Sequence, residues 1–300
     1  MIGLVLAFFS GFSFSGSNVF IRKATYRSGE SFSPFVISVF LGVLFFGLSL
    51  LVLKEFGQLA SLSWLGVGYL AGAGIVHFVF GRILGYTSLR LIGANRSAPV
   101  TRCSLLVAVL LGILFLGEPM TVSLVLALLL IVGGLILTST TGASVGRKAD
   151  IHEGSLAKGL FAALGAALCW GASPVLVKIG LREIGSPLVA TFVSYTAAAI
   201  VAGGLLFNPK NNAKLRQLDR TSLTPSIMGA ICVSLAQILR YTALDYSPVS
   251  RVAPLTSASG LLLTLPLSYF INREIESFNA RIILATIAVV LGVFLIFRTA

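Results

Sequence analysis

Runs of eighteen or more mostly apolar residues recur along this chain, and each is long enough to cross a hydrocarbon core of roughly 30 Å as a helix. A water-soluble fold has no use for such runs. Apolar residues make up 56% of the 300 positions and charged residues 11%, so the bilayer is the solvent that fits. The runs are continuous and carry internal Gly and Ser, whereas barrel strands would be about ten residues of alternating polarity; helices are therefore expected. The spans predicted are 2–21, 34–53, 62–85, 96–116 and 121–139, then 157–178, 187–207, 223–243, 250–271 and 279–297. Between the fifth and sixth lies the one clear linker, 140–154, where Ser, Thr and Gly are mixed with Arg147, Lys148, Asp150 and Glu153. The expected organisation is a first unit at 1–139, the hydrophilic linker at 140–154 and a second unit at 155–300.

The two units are copies. A shift of 155 places Ile83, Leu84, Tyr86, Thr87 and Leu89 on Ile238, Leu239, Tyr241, Thr242 and Leu244. It then places Arg96, Ala98, Pro99, Thr101 and Ser104 on Arg251, Ala253, Pro254, Thr256 and Ser259, making ten identities in 22 aligned residues. Shared apolar composition alone would give about one match in ten. A shift of 156 extends the likeness, putting Ser17, Val19 and Arg22 on Ser173, Val175 and Lys178, and Glu118 on Glu274. Because the first span has this internal counterpart and no basic leading region, it is expected to be retained and not cleaved as a signal peptide. A repeat with five crossings must enter the membrane from the opposite face the second time. The fold class expected is thus an all-α membrane protein of ten transmembrane helices in two inverted five-helix repeats, an arrangement in which secondary carriers bind substrate near mid-depth between the halves.

Charge sharpens the exclusions. A net charge of +12 would suggest nucleic acid in a soluble protein, but the 22 Lys and Arg lie almost entirely between or at the ends of the apolar runs, so no nucleic-acid role is expected. Fifteen of them sit on or beside the odd-numbered connections and six on the even connections and termini, which by the positive-inside rule places both termini outside. Cys103, Cys169 and Cys232 lie inside apolar runs, and the two histidines, His77 and His152, share no ligand spacing with them or each other, so neither metal, cofactor nor disulfide framework is expected. No Ser, His and Asp constellation suggests an enzyme. The lipid bilayer and a small-molecule substrate are the expected partners; a homodimer has no support in the sequence.

Ionisable groups within spans are costly and are functional candidates by default, which singles out His77, Arg82, Arg102 and Arg240. Each has a plainer reading: a hydrogen-bonded core histidine for His77, snorkelling to the interface for Arg82 and Arg240, and pairing with a carbonyl or distant carboxylate for Arg102. Arg82 and Tyr86 share a helix face, as do Gln237 and Tyr241 at the repeat-related positions; opposite walls of one cavity and simple interfacial anchoring both fit. Pro99 and Pro254 interrupt the backbone ladder at matching places, the kind of paired break that points to a carrier site. Ser10, Ser13 and Ser17 with Asn18 in the first span, and Cys169, Trp170 and Ser173 in the sixth, serve either a polar wall or close packing, and Gly68 and Gly72 look like a small-xxx-small contact. Glu118, between Gly117 and Pro119, is expected to start the fifth span with its charge at that helix's positive end.

These stretches resemble the drug/metabolite transporter superfamily, in its two-repeat EamA-type branch. The resembling segments run from Leu168 through Trp170 and Ser173 to Lys178, from Tyr86 to Leu89 and on to Asn95, Arg96 and Pro99, and from Phe115 through Gly117 and Glu118 to Pro119. The resemblance implies a ten-helix carrier of the plasma or inner membrane that exports or imports amino acids, sugars, other metabolites or drug-like compounds through a central cavity. The residues it makes candidates are Asn18, His77, Arg82, Tyr86, Pro99, Arg102, Trp170, Ser173, Gln237, Tyr241 and Pro254. The second repeat departs from the family pattern at Asn272, Arg273 and Glu274, and the amino terminus lacks the usual basic residues. Family members commonly keep both termini inside, against the charge count. A channel-like facilitator and a membrane-embedded sensory or binding module are the alternatives; transport that saturates and shows trans-stimulation separates a carrier from both.

Overall fold

The computed structural model describes residues 1–28, 30–141, 153–216, 218–271 and 280–298, so nearly all of the linker, His152 and Glu274 lie outside the described residues. The described residues are almost all helical, and no strand occurs among them. In the first half α1 (Ile2–Ser28) and α2 (Phe32–Val52) precede a short 3-10 turn, and α3 (Trp64–Gly74) leads through a π-helical stretch, Ile75–Phe80, into α4 (Gly81–Arg102). Then come α5 (Ser104–Leu116) and α6 (Val122–Thr141). The second half holds α7 (Glu153–Ile184), α8 (Pro187–Leu205), the short surface helix α9 (Pro209–Arg216), α10 (Arg220–Tyr246), α11 (Val249–Ile271) and α12 (Ala280–Arg298). Six of these helices are long and apolar enough to cross a bilayer; shorter apolar helices at Val100–Leu116, Val122–Leu137 and Thr286–Arg298, with α11, complete ten spans. The protein is an integral multi-pass membrane protein. Large apolar side chains such as Leu114, Phe161, Ile200 and Phe294 lie well exposed, as surfaces facing lipid do and surfaces facing water do not.

The first helix runs past the apolar run predicted at 2–21 because no Gly or Pro follows until position 29; its last turn carries Arg27 beyond the apolar core. The third and fourth spans fall close to where the sequence places them, at Trp64–Ser88 and Val100–Leu116. In the second half the chain breaks at Ser247, which is extended ahead of Pro248, as a residue before proline must be. The first half has Gly93 at the position 155 residues earlier, and although residues Gly81–Arg102 are helical, Ser88 Oγ donates to Ser97 Oγ at 2.8 Å, a pair that a straight helix would hold about 13.5 Å apart, so the chain folds back between them as it does in the second half. Neither Pro99 nor Pro254 ends its helix; the backbone remains helical across both.

The halves interlock. α1 packs chiefly against α10 and α11 of the other half, while α7 packs against α3, α4 and α5; α2 pairs with α8, and α6 with α12. Without a hydrophobic driving force between lipid-solvated helices, close backbone approach supplies the attraction. A Cβ on Gly11 would lie 2.4 Å from the Thr256 carbonyl oxygen, and one on Gly171 would lie 2.7 Å from that of Ser104, so each half's opening helix touches the other half's fourth span through a glycine. Polar cross-links add to this: Ser10 Oγ donates to Ala236 O at 2.8 Å, and Ser194 Oγ to Leu70 O at 2.8 Å. Gly68 and Gly72, expected to form such a contact, face open space; Gly74 on another side of the helix makes it, its Cα carrying no group that would collide with Ser194 O.

Glu118 does not act where expected. Gly117 closes α5 in the left-handed conformation (φ 66°), turning Glu118 back toward the second half. There its carboxylate accepts the Val249 N–H at 2.6 Å and the Ser250 N–H at 2.7 Å, so it caps α11 and not its own span. Three residues earlier in that turn, the end of α10 is held by the opposite charge: Lys178 Nζ donates to the carbonyls of Leu244, of Asp245 at 3.0 Å and of Ser247 at 3.4 Å. A cation on a helix C-terminus and an anion on the next N-terminus are both favourable with the peptide dipoles.

Candidate functional site

Between the halves opens a cavity of about 370 Å3, lined from α1, α2, the π-helical stretch, α4, α7, α10 and α11. That volume lies at the small end of the range for small-molecule pockets. Its floor begins with the π-helical stretch, a wide turn of the kind frequent at functional sites, which carries His77. The His77 carbonyl accepts a hydrogen bond from Trp170 Nε1 at 3.2 Å, tying α7 to the other half. Room for the indole comes from two glycines one turn apart. A Cβ on Gly81 would lie 2.4 Å from Trp170 Nε1 and one on Gly85 would lie 2.7 Å from Cη2, so the ring rests directly on the α4 backbone.

Cations dominate the wall. Arg82 Nη1 donates to Ser38 Oγ at 2.8 Å, and that hydroxyl donates to the Phe35 carbonyl at 2.7 Å. The Arg82 guanidinium carbon also sits 5.6 Å from the ring centroids of both Phe35 and Phe78, a double cation–π contact that holds the side chain in place. Arg240 is 9% exposed, lines the cavity and makes no ion pair or hydrogen bond among the described residues. Arg102 lines it with its side chain exposed. Gln237 is 1% exposed, and its Nε2 has no partner among the described residues, nor has Nδ1 of His77. No carboxylate stands among the described lining residues.

The lining follows the repeat. Phe14 and Trp170 are related by the shift of 156, and Arg82 with Gln237 and Arg102 with Ser257 by the shift of 155; all six line the cavity. The two walls are therefore equivalent in position but not in charge. The counterpart of Arg240 is Gly85, the residue that makes way for Trp170, so the bulky ring and the third cation occupy matching places on opposite walls.

Of the residues singled out from the sequence, Asn18, His77, Arg82, Tyr86, Arg102, Trp170 and Gln237 come together around this cavity. Ser173, Tyr241 and Pro254 are buried and stand outside the lining. The side chain of Pro99 lies outside the described residues. Arg82 and Arg240 do not reach for an interface; both turn inward. Ser17, read from the sequence as polar wall or packing, lines the cavity, as do Ser38, Thr256 and Ser257, which were not named. The repeat shift carried the signal for Ser257, as the partner of Arg102. Ser38 had none, being one hydroxyl in an apolar run until Arg82 is seen beside it.

The model of the EamA-like transporter family matches residues 1–140 and again residues 157–298, one match to each half. A solved crystal structure superposes with a TM-score of 0.76 at 18% identity, covering 99% of this chain and 98% of that chain, a likeness of fold alone. No curated protein matches the sequence significantly.

Proposed function

The chain belongs to the EamA-like transporter family, and from that premise we propose that it is a secondary carrier that exports a small polar metabolite by alternating access. The observation that carries this reading is the convergence of repeat-related positions from both halves, Phe14 with Trp170, Arg82 with Gln237 and Arg102 with Ser257, on one cavity. Two inverted copies around a shared site have two conformations that exchange the roles of the halves, and each opens the site to a different face. The asymmetric charges fit a site that holds one solute in one orientation. The interlocked first helices, α1 and α7, fit a mechanism in which each half moves with an opening helix contributed by the other.

The test begins with a comparison of internal and external metabolites in cells with and without the gene, followed by transport of the solutes that change in proteoliposomes. A carrier saturates with substrate and is accelerated by substrate on the opposite side. Flux that rises linearly with concentration and ignores the opposite side would replace the carrier with a channel-like facilitator; absence of any flux would leave a sensory or binding module. Accumulation of the solute inside cells lacking the gene supports export, and depletion supports import.

A further inference from the structure

We propose that the cargo is a small solute bearing two negative charges on oxyanion groups, of the dicarboxylate or phosphate-monoester class, held between the guanidiniums of Arg82, Arg102 and Arg240. The inference rests on the carrier reading and names the substrate class of the same cavity. Three arginines line one cavity of about 370 Å3, and no described lining residue carries a carboxylate to offset them. Glu118 does not restore the balance, being committed to the N-terminus of α11. Isolated charges taken from water into a protein interior cost several kcal/mol each unless a counter-ion and hydrogen bonds replace the lost hydration. Arg82 is partly compensated by Ser38 and two aromatic faces, Arg240 by no hydrogen bond or ion pair among the described residues. A bound anion supplies what the protein lacks.

The neutral groups point the same way. Gln237 lines the cavity, and its buried amide N–H2, a pure donor, is unsatisfied among the described residues. Guanidinium forks bind carboxylate and phosphate oxygens in pairs, so two or three of them converging on one small space select for a solute with two oxyanion groups or one doubly charged group over a monoanion. Cations are rejected by the same field, and a neutral solute leaves the buried charges uncompensated. Trp170 and Phe14, on opposite walls, provide apolar faces for the carbon portion between the charged groups.

Purified protein is challenged with inorganic phosphate, succinate, acetate and putrescine while its thermal unfolding midpoint is followed, and the same solutes are offered as radiolabelled substrates to proteoliposomes. The result expected is stabilisation and saturable uptake for phosphate or succinate, at least tenfold weaker apparent affinity for acetate, and none for putrescine. Arg240→Gln should weaken dianion binding by roughly 30-fold or more, the usual consequence of removing one member of a desolvated charge pair, and Arg102→Gln, at an exposed position, by roughly 2–5-fold. Arg240→Gln carries a second readout: with the buried cation gone, the protein without ligand should melt no lower than the parent, while the rise on adding dianion disappears. Arg102, being exposed, is replaced without disturbing the core and provides the check should the Arg240 variant misfold. Failure of both dianions to stabilise the protein overturns the inference, as does binding that both variants leave intact. Saturable transport of a neutral or cationic solute, unchanged in the variants, overturns it while leaving the carrier reading standing; no flux of any solute removes the carrier reading itself.

Discussion

Replacing Glu118 should reveal how much of the site's geometry depends on one charge at a helix start. Its carboxylate is 9% exposed and accepts two backbone N–H groups of α11, from Val249 at 2.6 Å and Ser250 at 2.7 Å. Glu118→Ala removes both acceptors and leaves no other described group to take their place. Each stranded, largely buried N–H costs about 1–3 kcal/mol, and loss of a carboxylate at the positive end of the helix adds about 0.3–1 kcal/mol. The expected destabilisation is therefore about 2–7 kcal/mol, on the order of 10 °C in unfolding midpoint for a chain of this size. Glu118→Gln retains one carbonyl acceptor and should fall in between, because hydrogen bonds to a charged acceptor contribute about 1.5–3 kcal/mol against 0.5–1.5 kcal/mol for neutral ones. Met120→Ala, exposed and two residues further along the same loop, should leave the midpoint unmoved. The measurement is thermal unfolding of purified protein in detergent, followed by the loss of helical circular dichroism. Since α11 carries Thr256, Ser257 and Gly260 into the cavity, transport by Glu118→Ala below its midpoint should also be slowed. A Glu118→Ala midpoint equal to that of the parent would refute the capping argument.

Lys178→Met should lower the midpoint through the opposite end of the same turn, by about 1–3 kcal/mol, since it strips a cation from carbonyls of Leu244, Asp245 and Ser247; an unchanged midpoint would assign that lysine no structural role. Gly85→Ala should displace the Trp170 indole, costing about 1–3 kcal/mol as overpacking and shifting indole fluorescence in a Trp64→Phe background, whereas Gly72→Ala, which faces open space, should do neither. Trp170→Phe keeps the apolar bulk but loses the bond to the His77 carbonyl, so a destabilisation of about 0.5–1.5 kcal/mol is expected in the same melting assay. Single cysteines at Gln58 and Lys210, on corresponding connections of the two halves, should react with a membrane-impermeant maleimide from opposite faces; labelling from one face would refute the inverted repeat.

The sequence alone determined the solvent, the helical class and the doubling of the chain, because each is written in local terms: run length against bilayer thickness, and residue identity against a fixed shift. It also marked out Arg82, Arg102, His77, Trp170 and Gln237, since a polar group within an apolar run is conspicuous without any knowledge of its neighbours. What it left open was direction. Whether Arg240 reaches outward to an interface or inward to a cavity depends on which helices surround α10, and only the packing of α1 against α10 decides it. Glu118 shows the same limit: Gly-Glu-Pro announces a helix start, but not whose. The helix it caps begins 131 residues away in the chain, brought within 2.6 Å by the interlocking of the two halves. Spacing along a chain reports contacts within a helix; contacts between helices depend on how the halves close on each other, and the sequence encodes that only through the sum of many small packing preferences.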